Sequence, residues 1–452
     1  MNAESNIANF IADFKSYDEK LAIIWKDNSY SYSYILNRID YWRNKLTFIE
    51  SGDIVGIEGD FSPEAIAILF VLIERNAILA PLDINHTNKN EKKYDIAQLQ
   101  LIIRIKNEDD IEFIQREKIH ELHDFYKLLK EKHVPGLVLF TSGSSGQPKA
   151  ALHDFSKLLV KFKIKRKSLR TINFLLFDHW GGLNTLFHIL SNGGTVVIVE
   201  NRTPDHVCSL IEKYQVELLP TSPTFLNMLL ISRAYERNDL SSLKIISYGS
   251  EPMPESLLTH LNKIFPNLIF QQTYGLIELG VMRSKSEDNG SLWVKIGGDG
   301  YQTRVVNDLL EIKAESAMLG YLNAPSPFTE DGWFMTGDQV EVDGEYFKIL
   351  GRKSEIINVG GEKVYPQEVE SIILELTELS DVIVYGEENR LTGKIVCAKV
   401  SYQGNEPKSE IIKRIKTHCR LKLQSFKVPV KISLTDSTFE SDRFKKNRVN
   451  GL

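Results

Sequence analysis

The sequence has few cysteines, no apolar run long enough to cross a membrane and no large excess of either charge. Its three cysteines, Cys208, Cys397 and Cys419, lie far apart, and none belongs to a CxxC pair. This excludes a disulfide scaffold and argues against a structural zinc site. The most apolar early stretch, residues 65–73, is interrupted at Glu74 and is far shorter than the roughly 20 residues that span a bilayer. We therefore expect no membrane span.

The charge is close to balanced, with 55 Lys and Arg against 60 Asp and Glu and a formal net charge of −5. A slightly acidic chain has no general electrostatic attraction to nucleic acid or anionic lipid, so we expect neither as a partner. The first residues, MNAESNIANFIADF, lack the basic segment and apolar core that are typical of a secretory signal peptide. These features favour a reducing, cytoplasmic location.

The length and the hydrophobic pattern predict two α/β domains. A chain of 452 residues exceeds the roughly 250–300 that one hydrophobic core covers. Strand-length apolar runs, such as INFLLF at 172–177, alternate with amphipathic stretches, which predicts layered α/β sheets with largely parallel strands. From about residue 290, shorter segments predict a small antiparallel, β-barrel-like part. We predict a large N-terminal domain, residues 1–353, and a small α+β C-terminal domain, residues 354–452.

The most informative segment is a Ser/Gly-rich loop that directly follows the apolar strand 137–140. Glycines let the backbone bend so that successive N–H groups converge, hydroxyls add donors, and such a nest holds phosphate oxygens. The loop is not a Walker A motif, because Ala150 follows the lysine. A flexible linker is the alternative, but a linker would not ordinarily abut a buried strand. The residues concerned are Thr141, Ser142, Gly143, Ser144, Ser145, Gly146 and Lys149.

TSGSSGQPK at 141–149 resembles the signature loop of the adenylate-forming superfamily, which includes acyl- and aryl-CoA ligases, carrier-protein adenylation domains and luciferases. Three further motifs resemble those of the family in the same order: YGLIELG at 274–280, TGD at 336–338 and GRKSEIINVGGEKVYPQEVE at 351–370. The resemblance therefore covers nearly the whole chain. It implies that a carboxylic acid is activated by ATP as an acyl-adenylate and then transferred to a thiol.

This chemistry needs little proton transfer. A carboxylate is already ionised at neutral pH, because its reference pKa is about 4. Its attack on the α-phosphate makes AMP the leaving group in place of oxide. The site must bring two anions together and hold them in line, which cations and N–H dipoles can do.

The resemblance implies how the phosphates are held. The loop at 141–149 is expected to hold the β- and γ-phosphates, with Lys149 as a mobile cation. Glu278 resembles the glutamate that helps to bind Mg²⁺, although a lone glutamate is more often a surface residue.

The motif that carries Glu278 also contains Tyr274 and Gly275. The family usually has threonine where this chain has Ile277, and isoleucine cannot donate a hydrogen bond. One phosphate contact is therefore expected to be missing or to come from Thr273.

The resemblance also implies how adenosine is held. Asp338 is expected to accept hydrogen bonds from both ribose hydroxyls, and two acceptor oxygens suit a vicinal diol. Arg352 resembles the arginine that contacts the ribose and phosphate. Tyr248, Gly249 and Ser250 fall where the family has its adenine-binding loop. The ring of Tyr248 either stacks on adenine or belongs to the core.

The last catalytic element that the resemblance implies is a lysine near the C-terminus, bridging the carboxylate and the α-phosphate. Aligning Arg448 with the family's arginine selects Lys445, and Lys446 is the competing candidate. The framing residues of the family pattern are replaced, so a solvated basic tail is the alternative.

The C-terminal domain resembles the family's mobile lid, which swings about a hinge between adenylation and thioester formation. Ser354 occupies the hinge position, where the family usually has Asp or Lys. Gly360 and Gly361 are expected to line a pantetheine tunnel in one conformation, and an ordinary turn is the alternative.

The segment FDHWGGLNTL at 177–186 falls where the family has its acid pocket. His179 matches a histidine at the pocket mouth of acyl and aryl ligases. A shift of one residue would make Asp178 the partner of an α-ammonium group. Gly181 and Gly182 resemble the acyl and aryl ligases more, so we favour an acid without an α-amino group.

No carrier domain is visible, so the thiol is expected in trans. CoA is the favoured acceptor, and the phosphopantetheine of a carrier protein is the alternative. The expected cofactors are therefore ATP, Mg²⁺ and CoA. Two other functions remain: a stand-alone adenylation enzyme that loads an aryl, fatty or amino acid onto a carrier, and a degenerate homologue that binds nucleotide without turnover.

Overall fold

The structure is a computed structural model that describes residues 4–117, 121–142, 147–376, 378–402, 404–436 and 439. Its helices are α1 Glu4–Tyr17, α2 Tyr32–Lys45, α3 Pro63–Glu74, α4 Thr87–Ile96, α5 Asp124–Glu131, α6 Phe155–Leu159, α7 Trp180–Ser191, α8 Pro204–Tyr214, α9 Pro223–Ser232, α10 Glu255–Ile264, α11 Pro366–Ile373 and α12 Lys408–Lys422. None of these helices is both long and apolar enough to cross a bilayer.

Within the described ranges, the strands form five sheets. Those up to residue 154 are β1 Leu21–Trp25, β2 Asn28–Ser31, β3 Ile54–Glu58, β4 Ile78–Leu82, β5 Leu101–Ile105, β6 Ile111–Gln115, β7 Gly136–Ser142 and β8 Pro148–Asp154. Those from 171 to 297 are β9 Thr171–Asn173, β10 Val196–Ile198, β11 Leu218–Thr221, β12 Ile245–Tyr248, β13 Ile269–Gln272, β14 Gly275–Leu276, β15 Gly280–Val281, β16 Arg283–Ser286 and β17 Trp293–Gly297. The remainder are β18 Tyr301–Val306, β19 Leu309–Ala314, β20 Gly320–Tyr321, β21 Phe334–Asp343, β22 Tyr346–Arg352, β23 Ile357–Val359, β24 Glu362–Val364, β25 Asp381–Asn389, β26 Gly393–Ser401 and β27 Lys431–Thr435.

Two seven-stranded sheets form the body of the larger part. One has the order β13-β12-β11-β9-β10-β1-β2, and all its strand pairs are parallel except β1–β2 at the edge. The other has the order β20-β8-β7-β4-β3-β5-β6, with parallel strands at its centre. The helix α3 is apolar on all sides and buried from Pro63 to Ile73, as expected of a helix within a core. The predicted α/β class with largely parallel strands is confirmed.

A six-stranded antiparallel sheet, β16-β17-β22-β21-β19-β18, follows. It begins close to residue 290, where the shorter sequence segments predict antiparallel structure. The two-stranded hairpin of β14 and β15 lies between it and the seven-stranded sheets in chain order. Both elements carry residues of the candidate site.

The last part of the chain has its own sheet and core. Strands β23 to β27 form a five-stranded sheet, and the helices α11 and α12 belong to the same part of the chain. One apolar cluster consists of residues between Ile357 and Leu434. The boundary at 353/354 falls within a short 3-10 turn, Lys353–Glu355, and stays a prediction.

One strand prediction is wrong in its extent. The apolar run 172–177 predicts a single strand, but β9 ends at Asn173. The chain then turns beneath α7, where the Leu176 carbonyl accepts from the His179 N–H at 3.2 Å. A Cβ on Gly182 would lie 2.3 Å from that same carbonyl oxygen. Close packing of the helix start against this backbone explains why the strand ends early.

Candidate active site

The candidate phosphate loop joins two paired strands. Strands β7 and β8 are antiparallel, with Thr141 opposite Lys149 and Ser142 opposite Pro148. Residues 143–146, which include Gly143, Ser144, Ser145 and Gly146, lie outside the described residues, so the predicted nest of N–H groups stays a prediction.

A distant side chain supports the base of this loop. Asn323 accepts from the Ala150 N–H at 3.0 Å and donates to the Pro148 carbonyl at 2.9 Å. Strand β20 continues the support, because Tyr321 pairs with Ala151 on β8. The Lys149 ammonium lies 5.4 Å from the centre of the Tyr321 ring, within cation–π range.

Glu278 lies in the turn of the β14–β15 hairpin, not on a helix. Its carboxylate Oε1 accepts from the Tyr321 hydroxyl at 2.6 Å, and its carbonyl accepts from the Met318 N–H at 2.8 Å. Burial and the Glu278 charge raise the pKa of Tyr321 far above its usual value, which keeps the hydroxyl a proton donor. Glu278 is thus held by Met318 and Tyr321. These two residues belong to the part of the chain, around β20, that also supports the base of the phosphate loop.

The residue before Glu278 is fixed by packing. Ile277 packs against two apolar clusters, and its carbonyl is 2.8 Å from Nε2 of the buried His153. The isoleucine is therefore a core-facing residue of the turn. Thr273, proposed to replace the missing threonine, donates its hydroxyl to the Tyr248 carbonyl at 3.0 Å. That proton is not free for a phosphate in this arrangement.

Asp338 forms the centre of a second polar group. Its Oδ1 is 2.7 Å from Arg352 Nε, and its Oδ2 accepts from the Tyr274 hydroxyl at 2.6 Å. The two strands β21 and β22 place Asp338 directly opposite Arg352. Burial raises the pKa of Asp338, and the Arg352 guanidinium opposes that rise. Each carboxylate oxygen keeps a further lone pair for a hydrogen bond, and the acceptor role toward a ribose diol stays a prediction.

The two groups are close together. Tyr274, which contacts Asp338, immediately precedes the hairpin that carries Glu278. The Glu278 charge also contributes to the raised pKa of Asp338. The structure therefore brings Lys149, Glu278 and Asp338 to one region, and their roles in nucleotide binding stay predictions.

The predicted adenine loop is divided between core and surface. The Tyr248 ring is buried in a hydrophobic cluster with an exposure of 1%, which favours the core alternative over stacking on adenine. Gly249 is close to Thr273, because an added Cβ would meet its Oγ1 at 2.5 Å and its carbonyl oxygen at 2.7 Å. Ser250 is exposed and has a φ of 73°, a left-handed conformation.

Two polar residues that sequence reasoning missed flank Tyr248. Thr221 and Gln272 are its register partners on β11 and β13. Thr221 Oγ1 and Gln272 Oε1 are buried and have no hydrogen-bond partner within the described part of the chain. Polar residues at the carboxyl ends of parallel strands are typical of ligand sites in α/β sheets. The position of Thr221 and Gln272 at the ends of apolar, strand-length runs is the sequence feature that could have identified them.

The start of α7 carries the candidate acid-pocket residues. His179 caps the helix, since its Nδ1 accepts from the Gly181 N–H at 3.1 Å. Asp178 is buried and lies 4.0 Å from the ammonium of Lys93, whose side chain is 14% exposed. In the alternative alignment, Asp178 is the partner of a substrate's α-ammonium group. In the structure, the ammonium of Lys93 already lies beside that carboxylate.

The remaining candidates lie in the C-terminal part. Gly360 and Gly361 form the turn between β23 and β24, with φ values of 61° and 95° that favour glycine there. A turn explains both residues, and the pantetheine tunnel stays a prediction. Lys445 and its competitor Lys446 lie outside the described residues.

Comparisons with known proteins identify the family. The family described as AMP-binding enzyme matches residues 12–309, and the AMP-binding enzyme C-terminal domain matches residues 368–445. The chain belongs to the AMP-binding enzyme family.

Several curated relatives of this AMP-binding enzyme are CoA ligases. Indoleacetate–CoA ligase of Aromatoleum aromaticum is 30% identical over 59% of this chain and 57% of that protein, a little over half its length. 2-Succinylbenzoate–CoA ligase of Bacillus subtilis is 27% identical over 76% of this chain and 72% of that protein. The putative long chain fatty acid–CoA ligase VraA of Staphylococcus epidermidis is 22% identical over 93% of this chain and 92% of that protein.

Solved structures share the fold over nearly the whole chain. The anthranilate CoA ligase AuaEII in complex with anthranoyl-AMP aligns with a TM-score of 0.83 and 19% identity, covering 99% of this chain and 95% of that one. ATP-bound MatB from Rhodopseudomonas palustris aligns with a TM-score of 0.79 and 20% identity, covering 98% and 97%. At these identities the likeness shows the fold alone, with a large N-terminal and a small C-terminal part.

The residues of this AMP-binding enzyme fit Mg²⁺ only together with a phosphate ligand. No cluster of three or more metal-binding side chains occurs among the described residues. Glu278 offers one carboxylate, with Oε1 already accepting from Tyr321. Mg²⁺ commonly uses one or two carboxylates together with substrate phosphates and water, so a single glutamate beside a phosphate loop suits it.

Proposed function

We propose that the chain is an ATP-dependent, AMP-forming acid–thiol ligase, with a carboxylic acid as substrate and CoA as the acceptor. The observation that carries the proposal is the convergence of the phosphate-loop base, Glu278 and the Asp338–Arg352 pair on one region. The CoA ligases among its relatives support the choice of thiol. A cytoplasmic location, where ATP and CoA are available, belongs to the same proposal.

In the first step the acid's carboxylate oxygen bonds to the α-phosphorus of ATP, and the bond to the bridging oxygen of pyrophosphate breaks. The carboxylate enters ionised, so no general base is required. Lys149 and Arg352 supply positive charge, and Asp338 accepts from the ribose. A Mg²⁺ ion held through Glu278 would neutralise phosphate charge. The bridging lysine of this step is proposed to be Lys445.

In the second step the acceptor thiol loses its proton to water, its thiolate attacks the acyl carbon, and AMP leaves with the bonding electrons. The bond between the acyl carbon and the AMP oxygen breaks as the C–S bond forms, so the acyl group becomes a thioester. Arg352 remains beside Asp338 on β22 to hold the departing nucleotide. The turn at Gly360 and Gly361 is proposed to lie along the path of the pantetheine arm.

The acid is proposed to lack an α-amino group. The Lys93 ammonium lies 4.0 Å from Asp178. A second cation at Asp178 would meet like charge in a buried setting, which is unfavourable. An aryl or aliphatic carboxylate brings no such cation.

The test is exchange of labelled pyrophosphate into ATP across a panel of aryl, fatty and amino acids, followed by thioester formation with CoA. We expect exchange with an acid that lacks an α-amino group, and turnover with CoA. Glu278→Gln is expected to lower exchange by at least about tenfold, whereas the exposed Glu345→Gln serves as the matched control.

Other outcomes change the proposal in distinct ways. Exchange without CoA turnover would point to a carrier protein as acceptor. Exchange only with α-amino acids would contradict the substrate class. Absence of exchange with every acid would overturn the ligase function and favour a nucleotide-binding homologue.

A further inference from the structure

Two elements of the candidate site are joined by one short segment, residues 318–323. At one end Asn323 holds the base of the phosphate loop through the Ala150 N–H and the Pro148 carbonyl. At the other end the Met318 N–H donates to the Glu278 carbonyl at 2.8 Å. Between them, β20 pairs with β8. Neither contact is local, since Asn323 and Ala150 are 173 positions apart.

Tyr321 lies at the middle of this segment and contacts both functional side chains. Its hydroxyl donates to Glu278 Oε1 at 2.6 Å. Its ring lies below the Lys149 ammonium, with 5.4 Å between Nζ and the ring centre. One side chain therefore contacts both an acidic and a basic residue of the candidate site.

These two contacts have a physical consequence. A lysine and a glutamate without an intervening group tend to pair directly, and such a pair would neutralise the charges that a metal–nucleotide complex needs. Tyr321 satisfies one oxygen of Glu278 with a neutral donor and leaves the carboxylate's other oxygen for a cation. The aromatic ring keeps Lys149 nearby without removing its charge.

We propose that Tyr321 is a positioning residue for nucleotide binding: it orients Glu278 toward Mg²⁺ and holds Lys149 apart from Glu278 at the phosphate loop. This inference rests on the proposed function, because it takes Mg²⁺–ATP as the ligand. The role assigned to Tyr321 is indirect, because it acts through Glu278 and Lys149. His153 supports the same arrangement from β8, through the Ile277 carbonyl.

The experiment measures nucleotide binding by the full-length protein, without an acid. Wild type, Tyr321→Phe, Glu278→Gln and the double variant are titrated with a fluorescent ATP analogue at a series of Mg²⁺ concentrations. Tyr321→Phe keeps the ring below Lys149 and removes only the hydroxyl. Tyr126→Phe is the matched control, because it removes one buried phenolic hydroxyl, bonded to the Ala97 carbonyl, from a different part of the core.

We expect Tyr321→Phe to raise the Mg²⁺ concentration for half-maximal binding by about tenfold, as expected for loss of a hydrogen bond to a charged group. Binding of the metal-free analogue should change little. In the Glu278→Gln background the tyrosine substitution should have almost no further effect, since residues that act as a unit are not additive. The melting temperatures of Tyr321→Phe and Tyr126→Phe should fall by similar small amounts, because each variant loses one hydrogen bond of the folded state.

A second variant, Tyr321→Leu, removes ring and hydroxyl together. It is expected to weaken binding of the metal-free analogue as well, because Lys149 then loses its aromatic support. Equal Mg²⁺ dependence in wild type and Tyr321→Phe would overturn the inference. So would a tyrosine effect that persists undiminished in the Glu278→Gln background.

Failure of the proposed function gives a different result. If the wild type binds no Mg²⁺–ATP analogue at any concentration, the ligase proposal fails and this inference fails with it. If the wild type binds normally and Tyr321→Phe is neutral, only the role of Tyr321 is lost.

Discussion

His153 is a buried imidazole on β8, the strand that leaves the phosphate loop, and it contacts the hairpin that carries Glu278 through the Ile277 carbonyl. Burial lowers its pKa to about 4, although its hydrogen bond to the Ile277 carbonyl opposes that shift. In the unfolded chain the pKa returns to about 6.5, so the unfolded state binds the proton more tightly. The contribution of His153 to stability is therefore complete above pH 6.5 and is lost as the pH falls toward 4.

We predict that the free energy of unfolding decreases by up to about 3 kcal/mol on this account between pH 7 and pH 4. His153→Gln keeps an N–H donor for the Ile277 carbonyl and does not titrate, so its stability should depend less on pH. Urea unfolding at pH 7, 6 and 5 measures the slope, and the exposed His133→Gln is the control. Identical slopes for wild type and His153→Gln would contradict the assignment.

The C-terminal lysine is a residue-scale prediction that rests on the family resemblance. Lys445→Ala is expected to lower pyrophosphate exchange by at least about a hundredfold, because the lysine would bridge the carboxylate and α-phosphate only in the adenylation transition state. Thioester formation from supplied acyl-adenylate should remain close to wild type. Lys446→Ala is the matched control. If Lys446→Ala shows the larger loss, the two roles are exchanged, and an equal loss in both steps would remove Lys445 from this role.

At the scale of elements, the loop after β12 depends on its close approach to the end of β13. A Cβ at Gly249 would come within 2.7 Å of the Thr273 carbonyl oxygen, so the two segments must separate. Gly249→Ala is expected to cost about 1–3 kcal/mol in stability and to weaken ATP binding several-fold. Gly290→Ala is the control, because the nearest atom to its added Cβ is 3.7 Å away. Chemical unfolding and nucleotide titration of both variants measure the difference, and a wild-type-like Gly249→Ala would show that the loop can yield.

The elements were largely predictable, whereas the contacts between them were not. Strands β7, β11 and β12 follow from buried apolar runs, and the motifs identified Glu278, Asp338 and Arg352. The strand predicted at 172–177 is too long. Apolar content alone does not reveal that residues 174–177 turn and pack against the start of α7. The contacts of Asn323 and Tyr321 with the phosphate-loop strand join positions about 170 residues apart, a distance at which sequence periodicity carries no information. Tyr248 shows the reverse case, since a loop-like motif position is part of the core.

At the scale of the whole molecule, the C-terminal sheet has its own apolar cluster and touches the larger part through polar contacts. Asn227 Nδ2 donates to the Ser380 carbonyl at 2.8 Å, and the Ser256 N–H donates to Ser371 Oγ at 3.3 Å. Hydrogen bonds of this kind contribute about 1 kcal/mol each, because water replaces them when they break. Such a contact surface suits a lid that changes position during the reaction cycle.

The backbone between these parts passes through the 3-10 turn at Ser354. Proline fixes φ near −65° and restricts the residue before it, so Ser354→Pro should hinder rotation at this point. We expect thioester formation to fall by about tenfold or more, while pyrophosphate exchange stays within about threefold of wild type. Ser354→Ala is the matched control, since alanine keeps a rotatable φ and removes only the hydroxyl. If Ser354→Pro and Ser354→Ala have equal rates in both half-reactions, the hinge does not lie at Ser354. The predicted domain boundary at 353/354 would then also be wrong.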